Sequence, residues 1–342
     1  MLVDECTLKI EANPEDAESY HRRAYYYHNL HDREHALTDM NTYLSLVHGS
    51  DLTNAHERWF RDFLIALWQS TPTNLGPSVN SSHHEAVSCF STDGLSLYFD
   101  SNRFGGHGFF DIWMAKRSTT SEHWSTPVNL GSPINTKYWD GIPNLTADGL
   151  SLFIISERPG GYGKSDIWVS TRNTKRDPWN APINLGPTVN SASFEWTLCI
   201  SADGLELFFT SSRQGGQGGA DIWFTTRTTR EDDWHTPINL GPIVNSPYEE
   251  FTLSISTCGL ILFITSNRSG GYGDRDIWVT TRSTTKELWS EPVNLGPPLN
   301  TSTWDQNATI SADGSMLYFC SRRPDGFGRL DIWQVSIPTL LE

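Results

Sequence analysis

Five carboxylates recur at a constant step of 55 residues: Glu85, Asp140, Glu195, Glu250 and Asp305. Acids gathered at one point can hold a hard cation such as Ca2+ through their oxygens. They can also divide into a proton donor and a base or nucleophile for glycosidic cleavage. Each is followed by an arginine on the same step (Arg103, Arg158, Arg213, Arg268, Arg323), and eight residues later by the aspartate of D-I-W (Asp111, Asp166, Asp221, Asp276, Asp331). A structural Arg–Asp pair across the intervening loop, or an aspartate bonded to backbone amides, is the expected use of these charges. Such charge-assisted bonds contribute ~1.5–3 kcal/mol each. If the five leading acids converge at roughly 7 Å separation, neighbours repel by ~2.4 kcal/mol at an effective dielectric near 20, so arginines, amides, protons or a cation must neutralise them.

Aromatic residues flank the acids unevenly: Tyr138 and Trp139, Phe194 and Trp196, Tyr248 and Phe251, Trp304. Carboxylates beside aromatic faces suit a sugar, a cationic group or a peptide. Aromatics in strands also pack between sheets, and the tryptophans of D-I-W (Trp113, Trp168, Trp223, Trp278, Trp333) read as core.

Between each arginine and its D-I-W lies a glycine-rich stretch, as in "FGGHGFF" and "PGGYGKS". A phosphate-binding glycine loop ends at a helix N-terminus. No helical pattern follows any copy here. The glycines are expected to supply positive φ in a tight loop joining two strands.

The elements that position these residues follow from the same period. "N-L-G" begins at Asn74, Asn129, Asn184, Asn239 and Asn294, and the turn aspartates of S-x-D-G fall at Asp93, Asp148, Asp203 and Asp313 with Cys258 in the fourth place. Each unit reads as four short strands separated by Asp-Gly and Gly-Gly signals, a meander. Four-stranded units repeated radially predict an all-β, five-bladed propeller over residues 68–342. A ring must leave no unpaired edge. The last unit lacks its "W…P…NLG" strand, and the chain carries one early, in "WQSTPTNLG"; residues 66–75 are therefore expected to complete blade five.

Residues 1–67 differ. "AESYHRRAYYYHNLHDREHALTDMNTYLSL" has helical apolar spacing broken at Asp32. It resembles one tetratricopeptide repeat, with Tyr20, Ala24, Tyr27, Leu30, Ala36, Met40 and Leu46 at its packing positions and a third helix expected over 55–67. A single repeat cannot bury its own face, so it is expected to pack on the propeller or to belong to a longer array. The full unit, N-S-x-x-x-E…S-A-D-G-x-x-L-x-F-x-S-x-R-x-G-G-x-G-x-x-D-I-W, resembles the WD40-like repeat of TolB-type propellers. That resemblance implies binding, scaffolding or gating. Five blades rather than six, and no TolB N-terminal domain, separate the chain from TolB itself.

A formal charge of −15 opposes nucleic acid and anionic membrane. No apolar run is long enough to span a bilayer. The five cysteines follow no ligand or disulfide pattern, and the N-terminus shows no secretory leader. The expectation is a cytoplasmic monomer, or a periplasmic or envelope protein if the chain is a fragment. Near-equal units point to a non-catalytic module presenting Glu85, Asp140, Glu195, Glu250, Asp305, Trp139, Phe194, Trp196 and Trp304 to a protein or carbohydrate ligand. The alternative is a glycoside hydrolase in which Glu195 and Glu250, with Asp140 or Asp305, act as acid and base.

Overall fold

The computed structural model describes residues 2–30, 32–47, 62–64, 66–67 and 70–337. Its strands form five four-stranded antiparallel sheets, one per 55-residue unit. In the first blade the order from the axis outward is Glu85–Phe90, Ser96–Ser101, Asp111–Lys116 and Val128–Asn129. The middle strands are buried on both faces, as in "SLYFDS", because each blade is covered by its neighbours. The S-x-D-G turns close as expected. Ser91 Oγ donates to Asp93 Oδ1 at 2.6 Å, the Leu95 amide reaches the same oxygen at 3.0 Å, and Gly94 takes a φ of 67°.

The core is a set of seams between blades. Phe153, Ile155 and Ile167 of the second blade pack on Leu198, Leu207 and Phe209 of the third. The closing seam joins Val87, Leu97 and Phe99 to Tyr318 and Ile332. Each fully buried side chain of this size contributes about 1.5–3 kcal/mol.

Blade five is completed from the other end of the chain. Thr73–Asn74 pairs antiparallel with Asp331–Ser336, with Thr73 opposite Gln334 and Asn74 opposite Trp333. The side chains repeat the bonds of an ordinary blade. Within the first blade, Asn135 exchanges two bonds with the Ile112 backbone and donates to Asn129. At the closure Asn80 does the same with Ile332 and Asn74, across 252 residues of chain in the case of Ile332.

Before the ring come α1 (Leu2–Ala12), α2 (Ala17–Asn29) and α3 (Arg33–Val47). Asp32 caps α3 through the His35 amide, and Arg23 grips Asp39 across the helix pair at 2.6 Å. Ala24 and Ala36 are buried, but Leu30 and Leu46 of the expected packing set are exposed. The side chain of Met40 and most of the expected third helix, 55–61, lie outside the described residues. Phe63, Leu64, Leu67 and Ala36 enter the core of blades four and five, with Phe63 6.2 Å from Phe263.

Candidate functional site

The innermost strands line an axial channel, and each carries a bulge in its register with the second strand. Bulges re-aim side chains at such walls. At the end of the S-x-D-G turns the channel opens into a recess lined by Ser88, Asn144, Cys199, Ser254 and Thr309 among others. The other end carries the glycine-rich loops and the repeated carboxylates.

Those carboxylates do not form an exposed ring. Glu85, Asp140, Glu195, Glu250 and Asp305 are each 0% exposed. Each is enclosed by its own unit: Asp140 accepts from the Thr136 amide and hydroxyl, from Ser156 Oγ and from Arg158 Nη2 at 2.7 Å. Arg103, Arg213, Arg268 and Arg323 sit at 2.9–3.1 Å from Glu85, Glu195, Glu250 and Asp305. Burial raises the pKa of Glu195 and Glu250, against the lowering pull of serine hydroxyls and the arginine. Among the described residues no three acidic, His or Cys side chains gather as a metal would need, so the Ca2+ alternative for these acids has no cluster behind it.

Of the two expected uses, the arginines do not pair with the D-I-W aspartates, and the aspartate-to-backbone bond is the one formed. Each arginine also stacks near its D-I-W tryptophan, Arg103 at 5.3 Å from the Trp113 ring and Arg323 at 5.1 Å from Trp333. The aspartates turn instead to the backbone. Asp166 accepts from the Tyr162 and Gly163 amides at 2.6 and 3.1 Å and from Asn184 at 3.2 Å. The glycines serve this nest. A Cβ on Gly161 would fall 1.7 Å from Asp166 Oδ2, and one on Gly163 2.3 Å from the Ser193 carbonyl of the next unit. These loops are structural, as their lack of a following helix implies.

The aromatic set divides. Trp196 is 45% exposed and stacks on Phe194 at 4.4 Å. Tyr248 is exposed, whereas Trp139 is half-buried against the seam of blades two and three. Trp304 lies under two arginines, Arg275 and Arg322.

One acid escaped the pattern because it does not repeat. Asp100 occupies the register filled by Ile155, Thr210, Thr265 and Cys320 in the other units. It is 4% exposed, and its pKa is pushed up to about 7, chiefly by burial. No cation pairs with it among the described residues. The Ile142 amide of the next blade donates to Oδ1 at 3.2 Å. The Ser88 hydroxyl makes no well-aligned bond yet still favours the ionised form, and Ser88 lines the channel. Ile142 has a φ of 51°, strained for a β-branched residue, and strain of this kind concentrates at functional sites. A Cβ at Gly141 would come within 2.9 Å of the Trp139 ring and 3.3 Å of the Asp100 carboxyl carbon, so glycine permits that approach. Aligning the five units and asking where acids stand alone would have put Asp100 on a short roll that includes Glu157, Glu206, Glu249 and Asp274; its burial is what sets it apart.

No family model matches the sequence, and no curated protein matches it. Solved structures do. The chain is similar to the α-L-arabinofuranosidase PaAbf62A from Podospora anserina, solved with cellotriose, at a TM-score of 0.53 and 11% identity over 80% of this chain and 98% of that one. An α-L-arabinofuranosidase from Lactobacillus brevis follows at 0.49 and 13% identity, over 78% and 93%. A thermostable family-43 glycoside hydrolase gives 0.49 and 13%, over 79% and 93%. At these identities the likeness is one of fold. It corrects the expectation of a non-catalytic scaffold in its ground, that a near-equal ring is unsuited to catalysis. A ring of this fold is built by one arabinofuranosidase, PaAbf62A. The TolB-type and tetratricopeptide resemblances find no matching family model, and what stands is a five-bladed propeller of four-stranded blades.

Proposed function

We propose that the protein is a carbohydrate-active enzyme that cleaves a glycosidic bond at the channel between the first and second blades, with Asp100 as the proton donor. The carrying observation is the lone, buried, cation-free carboxyl of Asp100 with a pKa of about 7. Glycosidic cleavage needs a carboxylic acid that still holds its proton near neutrality and a second carboxylate that is ionised. The acid gives its proton to the bridging oxygen as that oxygen leaves the anomeric carbon. The second carboxylate takes a proton from the attacking water, or attacks the carbon itself. Ser88 lines the channel and acts on the Asp100 carboxyl, so in this reading its hydroxyl would have to turn to carry the proton from one to the other.

Glu157 is the candidate for the second role. It is exposed at the rim, and its amide donates to the Trp139 carbonyl at 3.0 Å. The stacked Phe194–Trp196 pair offers an apolar face for a sugar ring. The fold shared with an arabinofuranosidase supports the reading and suggests the first substrates to try.

The test is hydrolysis of arabino- and xylo-oligosaccharides by wild type, Asp100→Asn and Glu157→Gln. General acid catalysis contributes roughly 10²–10⁴-fold, so Asp100→Asn should lose that much in kcat. Wild-type kcat should decline as pH rises through about 7. A wild type that turns over none of the panel, or an Asp100→Asn enzyme as fast as wild type, overturns the proposal.

A further inference from the structure

On the rim where blades four, five and one meet, the repeat breaks in favour of positive charge. Arg275 stands where the other units carry Phe110, Ser165, Ala220 and Leu330, and Arg322 where they carry Asn102, Glu157, Ser212 and Asn267. The guanidinium of Arg275 lies 3.7 Å from the centre of the Phe251 ring and 4.1 Å from that of Trp304. Arg322 lies over Trp304 at 3.3 Å. Arg329 and the half-buried His84 are close enough for their charges to act on, or feel, Arg322.

The arginines of the carboxylate latches each hold an acid, and Arg282 holds Glu206. Among the described residues no carboxylate lies within ion-pair distance of Arg275 or Arg322. Glu249 and Asp274 act on Arg275 only from further off. The one side-chain acceptor recorded for Arg275 is Gln306 Oε1 at 3.0 Å. In a chain of net charge −15, two guanidiniums held against aromatic rings without acid partners form a localised anion receptor. Stacking holds both guanidiniums in place; Arg322 is exposed, and Arg275 gives one N–H to Gln306, so a carboxylate would meet the remaining N–H groups of the two arginines.

We infer that this rim binds a carboxylate-bearing sugar, a uronic acid residue of a glycan, with Arg322 and Arg275 gripping its carboxylate. The inference rests on the carbohydrate-active reading and adds its substrate class. A sugar acid fits better than an acidic peptide because the same mouth carries the Phe194–Trp196 stack, a flat apolar face of the kind sugar rings lie on.

The test is calorimetric binding at low salt, using oligogalacturonate and the same oligomer with its carboxyls methyl-esterified. Wild type should bind the acid at least tenfold more tightly than the ester. Arg322→Gln, at an exposed position, should lose most of that preference, and Arg275→Gln with Arg322→Gln should abolish it. Arg322→Lys keeps the charge without the fork and should fall between. Equal affinity for acid and ester, an unchanged preference in the double variant, or equally tight binding of polyglutamate overturns the inference. Because binding is read without turnover, the two readings fail separately. Selective uronate binding with no hydrolysis leaves this inference standing and removes the catalytic one. Hydrolysis of neutral oligosaccharides without uronate selectivity does the reverse.

Discussion

Asp100 and Asp140 belong to neighbouring blades, the first and the second, and both have almost no exposed surface. Asp140 is met by an amide, two hydroxyls and a guanidinium. Asp100 is met by one amide of a strained residue and a poorly aligned hydroxyl. A buried charge that is fully compensated fixes geometry. One left uncompensated keeps its proton instead, and a retained proton is available for chemistry. Asp140, held by its latch, and Asp100, a buried acid that does not repeat, thus contrast scaffold with candidate chemistry within one ring.

The comparison breaks most severely at its scaffold side. Deleting residues 70–75 removes the strand that closes blade five and should abolish the cooperative thermal transition of the propeller. A soluble monomer beginning at Ser78 with an unaltered melting profile would show that closure is unnecessary. Within a latch, Arg158→Ala leaves Asp140 buried without its cation and should destabilise by on the order of 3–5 kcal/mol in denaturant unfolding. A loss below about 1 kcal/mol would mean that Thr136 and Ser156 alone carry the acid.

Asp100 should behave in the opposite sense. Below about pH 4 its carboxyl is protonated in folded and unfolded chains alike. Between about pH 4 and 7 the unfolded chain has released a proton that the folded chain retains, so stability falls as pH rises through that window. Asp100→Asn, which can still accept from the Ile142 amide, should therefore be more stable than wild type at pH 8. The gain is on the order of 4 kcal/mol at most and should shrink as pH is lowered towards 4. Greater stability with lost turnover is the signature of a functional acid. An Asp100→Asn protein less stable at every pH would place Asp100 with the latches. The smallest expected effect is at Trp196. Its exposed ring should be replaceable by alanine within about 0.5 kcal/mol of stability, while KM for an oligosaccharide rises several-fold.

The architecture was legible because a 55-residue step repeats without insertion, and a strict period in turns and strands leaves a closed ring as the way to bury every edge. The closing strand could be read for the same reason, since "NLG" is missing at one end and present at the other. The repeated acids were legible as a set but not in their role. Their partners are Arg103 and its counterparts, which also neighbour the D-I-W aspartates in sequence. Deciding between those pairings needed the positions of Ser81, Ser101 and the glycine-rich amides. Asp100, Arg275 and Arg322 were invisible to a reading that sought what recurs.

The amino-acid sequence by itself determined five blades, their strand order and their closure, because local alternation and turn chemistry act over a few residues and are repeated five times. Which carboxyls are paired, which are pushed towards holding a proton and where two arginines find no acid was decided only in the tertiary structure. Desolvation and pairing depend on atoms brought together from separate blades, and no spacing along the chain records them.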